Sequence, residues 1–159
     1  MIFLTVGTHY FGFERLVKEM DEISGKIDEE VIAQIGSTKY KPKNMKYFTF
    51  IEEEEKILEL YKKARIIISH AGAGTVLTVL WYKKPAIIVP RLKEFNEHID
   101  NHQLELAEVL KKEGRAIIVY NIENLNDAIN KTREIMFKQS HKNQTLVDFL
   151  KESIARMEK

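Results

Sequence analysis

Three consecutive isoleucines, Ile66-Ile67-Ile68, run directly into Ser69-His70-Ala71-Gly72-Ala73-Gly74-Thr75, and a helix-like apolar stretch, Val76-Leu77-Thr78-Val79-Leu80, follows at once. A β-branched run without polar alternation reads as a strand buried on both faces, the situation of a parallel sheet covered by helices. The glycines let the backbone approach a ligand, and the helix that follows turns its free amides back toward the strand end. Such a unit constrains the rest of the chain, because parallel neighbours must be joined by crossovers.

The rest of the sequence follows this rule. Short apolar runs predict strands at Ile2 to Val6, Val31 to Ile35, Lys46 to Phe50, Arg65 to Ser69, Ala86 to Pro90 and Ala116 to Tyr120. Helical periodicity predicts helices at Phe13 to Ser24, Glu52 to Ala64, Thr75 to Lys83 and His102 to Glu113. Two more are expected near Glu123 to Phe137 and Gln144 to Met157. Gly36 to Lys43 reads as a loop. The expected fold is α/β: a single Rossmann-like, doubly wound parallel sheet of about six strands, spanning residues 1–159 as one domain whose C-terminal helices run from about 122 to 157.

Composition narrows the function classes. With 25 basic and 24 acidic residues the net charge is +1, so no whole-molecule field draws the chain to nucleic acid. No apolar stretch approaches the ~20 residues that cross a bilayer. The apolar start Met1-Ile2-Phe3-Leu4-Thr5-Val6 lacks the basic lead and cleavage site of a signal peptide and reads as a first strand. The sequence has no cysteine, which excludes disulfides and thiolate metal sites and fits a cytoplasmic location.

Three segments offer chemistry. The first turn, Val6-Gly7-Thr8-His9-Tyr10-Phe11-Gly12, has the glycine spacing of a P-loop, but Phe13-Glu14 stand where Lys-Ser/Thr is needed, and GxGxxG also fails. Nucleoside triphosphate hydrolysis and dinucleotide binding are therefore disfavoured, while Thr8 and His9 are candidate phosphate donors or plain turn residues. The second turn, Ser69 to Thr75, joins a buried strand to a helix, so its amides suit an anion and Thr75 is expected to cap that helix. His70 at the strand end suits phosphate contact there, with a structural histidine as the competing reading. The third segment, Pro90 to Gln103, carries Arg91, Glu97, His98, Asp100, Asn101, His102 and Gln103, donors and acceptors of both senses that suit sugar hydroxyls. Metal binding by His98 and His102 is disfavoured, since Asp100 interrupts a helix between them and HExxH is absent. The run Glu52 to Glu55, with Lys62 and Lys63 further on, reads as a helix dipole signal rather than a site.

Ser69-His70-Ala71-Gly72-Ala73-Gly74-Thr75, then Lys84-Pro85-Ala86-Ile87-Ile88-Val89-Pro90, then Asp100-Asn101-His102-Gln103-Leu104-Glu105-Leu106-Ala107 resemble, in order and spacing, the C-terminal donor-binding domain of glycosyltransferase family twenty-eight. The resemblance covers Met1 to about Tyr120 and implies the donor half of a GT-B fold. Within the family the chain is most similar to stand-alone small subunits of two-component UDP-sugar transferases. One kind makes the dolichol-linked N-acetylglucosamine transferase with a membrane-anchored partner; the exopolysaccharide kind carries an Arg-x-x-x-x-x-Glu-His segment, here Arg91 through Glu97-His98.

The resemblance implies that Gly7, Thr8, Gly72, Ala73, Gly74 and Thr75 hold the donor diphosphate, with His9 and Ala71 beside them and His70 as the catalytic candidate. It implies that Phe50 and Ile51 hold the uracil, and that Asp100, His102 and Gln103, with Arg91, contact the sugar. It implies no cofactor beyond the UDP-sugar itself and no metal. Where a related bacterial enzyme has a glutamate for the ribose hydroxyls this chain has Thr78, a departure that bears on nucleotide recognition. The other GT-B half supplies the acceptor site and usually the general base. The implied active species is thus a complex with a membrane-associated subunit that binds a lipid-linked acceptor and recruits this chain to the membrane. Two other readings stay open: a non-catalytic module that stabilises its partner, and a sugar-nucleotide epimerase, which length disfavours because it needs both halves in one chain.

Overall fold

The structure, a computed structural model, describes residues 1–134. The helix expected at Gln144 to Met157, with its stripe of Leu146, Val147, Leu150, Ile154 and Met157, lies outside the described residues, as does the end of the one expected to reach Phe137.

Six strands form one parallel sheet: β1 (Ile2–Thr5), β2 (Val31–Gln34), β3 (Lys46–Phe48), β4 (Ile66–Ser69), β5 (Ala86–Ile88) and β6 (Ile117–Ile118), in the order β3-β2-β1-β4-β5-β6. The helices are α1 (Glu14–Ser24), α2 (Glu54–Lys63), α3 (Ala73–Trp81), α4 (His102–Lys112) and α5 (Leu125–Glu134). This is the doubly wound arrangement expected from the sequence. The order in which strands are added reverses between β1 and β4, which pair directly in parallel, and a crevice opens beyond the carboxyl ends of such strands.

Successive side chains of a strand point to opposite faces, so the apolar runs feed two cores. Ile2, Leu4, Ile66 and Ile68 pack with Leu16, Val17 and Met20 of α1 and Leu125 and Ile129 of α5. Phe3 and Ile67 pack on the other face with Tyr61 of α2, Val76 and Val79 of α3, and Leu106 and Leu110 of α4. Burial on both faces is why β1 and β4 show no polar alternation.

Several boundaries differ from expectation. Glu53 is extended and precedes α2, so Glu54 and Glu55 occupy the first turn and Lys62 and Lys63 the last, the placement the helix dipole favours. β3 stops at Phe48, leaving Phe50 and Ile51 beyond the strand. Helix α3 begins at Ala73 rather than Thr75, with extended Gly72 at its cap and no side-chain cap bond. The expectation that Thr75 caps this helix is therefore corrected: Thr75 lies inside the first turn, where its own amide is one of those in need of a partner.

A glycine-lined anion cradle as the candidate active site

β1 and β4 pair in register, Thr5 opposite Ser69, so the turns that follow them leave the sheet side by side. Between them opens a cleft of about 590 Å³ lined by Gly7, Thr8, His9, Tyr10, His70, Gly72, Ala73, Gly74 and Thr75. Gly72 brings no side-chain acceptor to the N-terminus of α3, so the amides of Ala73, Gly74 and Thr75 have no intrahelical partner and carry the positive end of the helix dipole. Both expected phosphate turns thus meet at one site, with Ala71 buried beneath it in the second core.

The imidazole of His70 fills the space between the two turns. A Cβ on Gly7 would come within 2.7 Å of its Cε1, and one on Gly72 within 2.2 Å of its Nε2. Gly7 also has φ +71, in the left-handed region. Gly74 differs, for a Cβ there would meet nothing within 4 Å, so its glycine leaves open space on the helix start. Burial, reinforced by the charge of Arg91 and opposed by the backbone of Thr5, pushes the His70 pKa down to about 3. His70 is therefore neutral near pH 7, and any help it gives a diphosphate is a hydrogen bond rather than a full charge. Its Nδ1 is buried with no hydrogen-bond partner among the described residues.

Arg91 does not line the cleft. It is fully buried, and its guanidinium donates to the carbonyls of Val6 (2.9 Å), Phe11 (3.1 Å), Gly12 (2.7 Å) and Glu97 (3.2 Å) while lying 4.7 Å over the Phe13 ring. It gathers both ends of the first turn onto the third segment. The Glu97 carboxylate takes a two-pronged bond from Arg15 at 3.0 and 2.9 Å and a third from the Leu92 amide at 3.0 Å. Gln103 is likewise committed inward, its Oε1 accepting from the Arg91 amide at 3.0 Å.

Asp100 accepts from the His102 amide at 3.1 Å and lies 2.9 Å from His98 Nδ1. Partial burial tends to raise its pKa, but the His102 amide and the two histidines hold it below the usual carboxylate value. The His102 ring is further off, 3.6 Å from Asp100. His98 stacks on His9 at 5.3 Å, and burial, then His98, then Arg91, lower the His9 pKa. This stack joins the third segment to the cleft through His98, which the resemblance does not count among the sugar contacts. On the opposite side Phe50 is exposed and Ile51 half-buried, and neither lines the cleft. The Thr78 hydroxyl donates to the Gly74 carbonyl at 3.0 Å, so its proton is spent on its own helix. Among the described residues no three His, Asp or Glu side chains converge as metal ligands.

The strand order and the paired glycine turns define a Rossmann-like domain with a glycine-lined cleft at its switch point. The chain belongs to the family described as the glycosyltransferase family 28 C-terminal domain, whose model matches residues 1–157. It is 35% identical over 121 residues to the human UDP-N-acetylglucosamine transferase subunit ALG13, covering 71% of this chain and 10% of that protein. It is 24% identical over 149 residues to the UDP-N-acetylglucosamine–N-acetylmuramyl-(pentapeptide) pyrophosphoryl-undecaprenol N-acetylglucosamine transferase of Prochlorococcus marinus strain AS9601, covering 91% of this chain and 39% of that one. Its fold matches the crystal structure of Acinetobacter baumannii MurG with TM-score 0.60 and 24% identity, over 94% of this chain and 49% of that one. It also matches the Streptomyces glycosyltransferase SsfS6, complexed with thymidine diphosphate, with TM-score 0.61 and 19% identity, over 85% of this chain and 33% of that one. The chain therefore spans only a minor part of the relatives it matches.

Proposed function

We propose that this chain is the UDP-sugar-binding subunit of an inverting glycosyltransferase, acting with a second, membrane-associated subunit on a lipid-linked acceptor at the cytoplasmic face. One observation carries the reading: His70 clamped between Gly7 and Gly72, where the turn after β1 meets the free amides of α3. Several backbone donors aimed at one point, with glycines permitting close approach, suit a diphosphate. The similarity to a subunit named for UDP-N-acetylglucosamine transfer supports a uridine diphosphate donor.

In the proposed reaction the bond between the anomeric carbon and the diphosphate oxygen breaks as the acceptor oxygen bonds that carbon from the opposite face. The amides of Ala73, Gly74 and Thr75 take up the charge that develops on the departing diphosphate. Neutral His70 adds a hydrogen bond to the same oxygens, and Asp100 with His102 orients the sugar. The acceptor proton passes to a base on the partner, which also supplies the acceptor site.

Thr78, a neutral hydroxyl where a carboxylate could accept from both ribose hydroxyls, favours one alternative, a module that stabilises its partner and binds nucleotide weakly or not at all. Calorimetry with UDP and UDP-sugars on the purified chain separates them: the donor reading expects saturable binding to the chain alone, and no binding heat would overturn it. Transfer measured with and without the partner tests the division of labour, since turnover unaffected by the partner contradicts a two-component enzyme.

A further inference from the structure

Away from the cleft, α3 ends in a feature that donor binding does not use. Trp81, the single tryptophan of the sequence, is 81% exposed, and Leu77, four residues earlier on the same helix stripe, is exposed as well. The buried face of α3 is carried by Val76 and Val79, so packing does not account for Leu77 and Trp81.

Lysines gather where α2 and α3 end, the end of α3 that carries this tryptophan. Lys83 and Lys84 follow it after Tyr82, and the ends of α2 and α3 are tied together because the Lys84 ammonium donates to the carbonyls of Lys62 and Ala64. Lys62 in turn lies 5.8 Å over the Tyr82 ring. Of Lys62, Lys63, Lys83 and Lys84, only Lys63 is ion-paired among the described residues, to Glu59 at 2.9 Å.

Helix α3 also ends at a cost in backbone strain. Lys83 has φ 51, with the Lys83 amide bonded to Leu80 and the Lys84 amide to Val79. Helix α4 closes with the same pattern, Gly114 amide to Lys111 and Arg115 amide to Leu110, but there the left-handed position is a glycine at φ 63. Glycine takes that conformation freely, whereas lysine does not. The helix dipole accounts for cations at the end of α2 but not for a lysine held in a conformation that suits glycine, beside an exposed tryptophan.

We propose that this corner, Leu77, Trp81, Lys62, Lys83 and Lys84, is a docking surface for an anionic lipid bilayer, and that the chain meets the membrane through it directly. Trp81 would sit among the headgroups, where an amphipathic ring is favoured, and each unpaired lysine near such a surface adds roughly fivefold to partitioning. An exposed tryptophan at a lysine-rich helix end fits headgroups better than the core of a protein interface, where lysine is depleted. The proposal is independent of the donor reading, because none of these residues lines the cleft.

Because Trp81 is the only tryptophan, its fluorescence reports this corner alone. The full chain is titrated with phosphatidylcholine vesicles with and without phosphatidylglycerol, at low and high salt. A blue shift and co-sedimentation are expected with the anionic vesicles and should fade with salt. Lys83→Gly should raise the melting temperature while lowering the vesicle-bound fraction several-fold, and Trp81→Ser should lower binding about tenfold without altering the melting temperature by more than a few degrees. Anionic vesicles that leave the Trp81 spectrum unchanged at low salt would overturn the proposal. So would binding equal to wild type in both variants, or a spectral shift produced by a partner protein and by no vesicle.

Discussion

A side-chain carbon at Gly72 would stand 2.2 Å from Nε2 of His70, closer than any relaxed contact allows. Gly72→Ala must therefore displace the imidazole or the start of α3, and UDP affinity is expected to fall at least tenfold. Gly74→Ala meets nothing within 4 Å and replaces glycine early in a helix, so it should preserve or raise the melting temperature by the equivalent of about 0.5–1 kcal/mol. If Gly74 is left open for phosphate, affinity still drops. Melting curves and UDP calorimetry on both variants check the pair, and a Gly74→Ala protein that binds like wild type would remove Gly74 from the site.

The burial of His70 fixes the sign of one pH effect. Its pKa is about 3 when folded and near 6.5 when exposed, so between those values the unfolded chain holds the extra proton. The neutral imidazole thus leaves stability intact above about pH 6.5, and stability falls as pH drops from there toward 3. The loss should reach at most a few kcal/mol, on the scale of about 1.4 kcal/mol per pKa unit. Denaturant titrations from pH 7.5 to 5 should show this slope in the wild type and lose it in His70→Gln. A slope that persists in the variant would assign it to other groups.

What the sequence made legible is what local pattern controls. Ile66-Ile67-Ile68 announces a strand covered on both faces, and the alternation of short apolar runs with helical segments announces a doubly wound parallel sheet, whereas the pairing of Gly7 with Gly72 in one site comes only from the family resemblance. The sequence places the start of α3 at Thr75 because threonine is the better capping residue in isolation, whereas the helix starts at Ala73 behind Gly72, a cap without an oxygen that leaves the amides free. Arg91 joins the expected ligand contacts because it opens the polar segment Pro90 to Gln103 and the Arg-x-x-x-x-x-Glu-His resemblance. Only the fold reveals that the carbonyls of Val6, Phe11, Gly12 and Glu97 converge on its guanidinium. The Arg15 to Glu97 pair, 82 positions apart, had no local signal at all.

That pair is shielded from solvent and geometrically two-pronged, which separates it from ordinary surface ion pairs. Arg15→Met and Glu97→Gln are each expected to destabilise the fold by about 1–3 kcal/mol, since each leaves a poorly solvated partner behind. Their effects should not add. A double-mutant cycle by urea denaturation should give a coupling energy of about 1 kcal/mol or more. Coupling near zero would mean that Arg15 acts through its contact with the Pro90 carbonyl at 3.1 Å instead.

Thr78 allows the donor reading to be tested by gain rather than loss. Its hydroxyl proton is committed to the Gly74 carbonyl, so toward a ribose the side chain offers only the lone pairs of one neutral oxygen. A carboxylate at this position, half-buried and just past the first turn of α3, could accept from both the 2′- and 3′-hydroxyls. Thr78→Glu is therefore expected to tighten UDP binding by about tenfold, the worth of one charge-assisted hydrogen bond of roughly 1.5 kcal/mol. Most of that gain should vanish with 2′-deoxy-UDP, which offers one hydroxyl fewer. The decisive quantity is the ratio of the two affinities, measured by calorimetry on both proteins. A ratio that rises in the variant locates the ribose beside α3, and one that stays at the wild-type value places the nucleoside elsewhere.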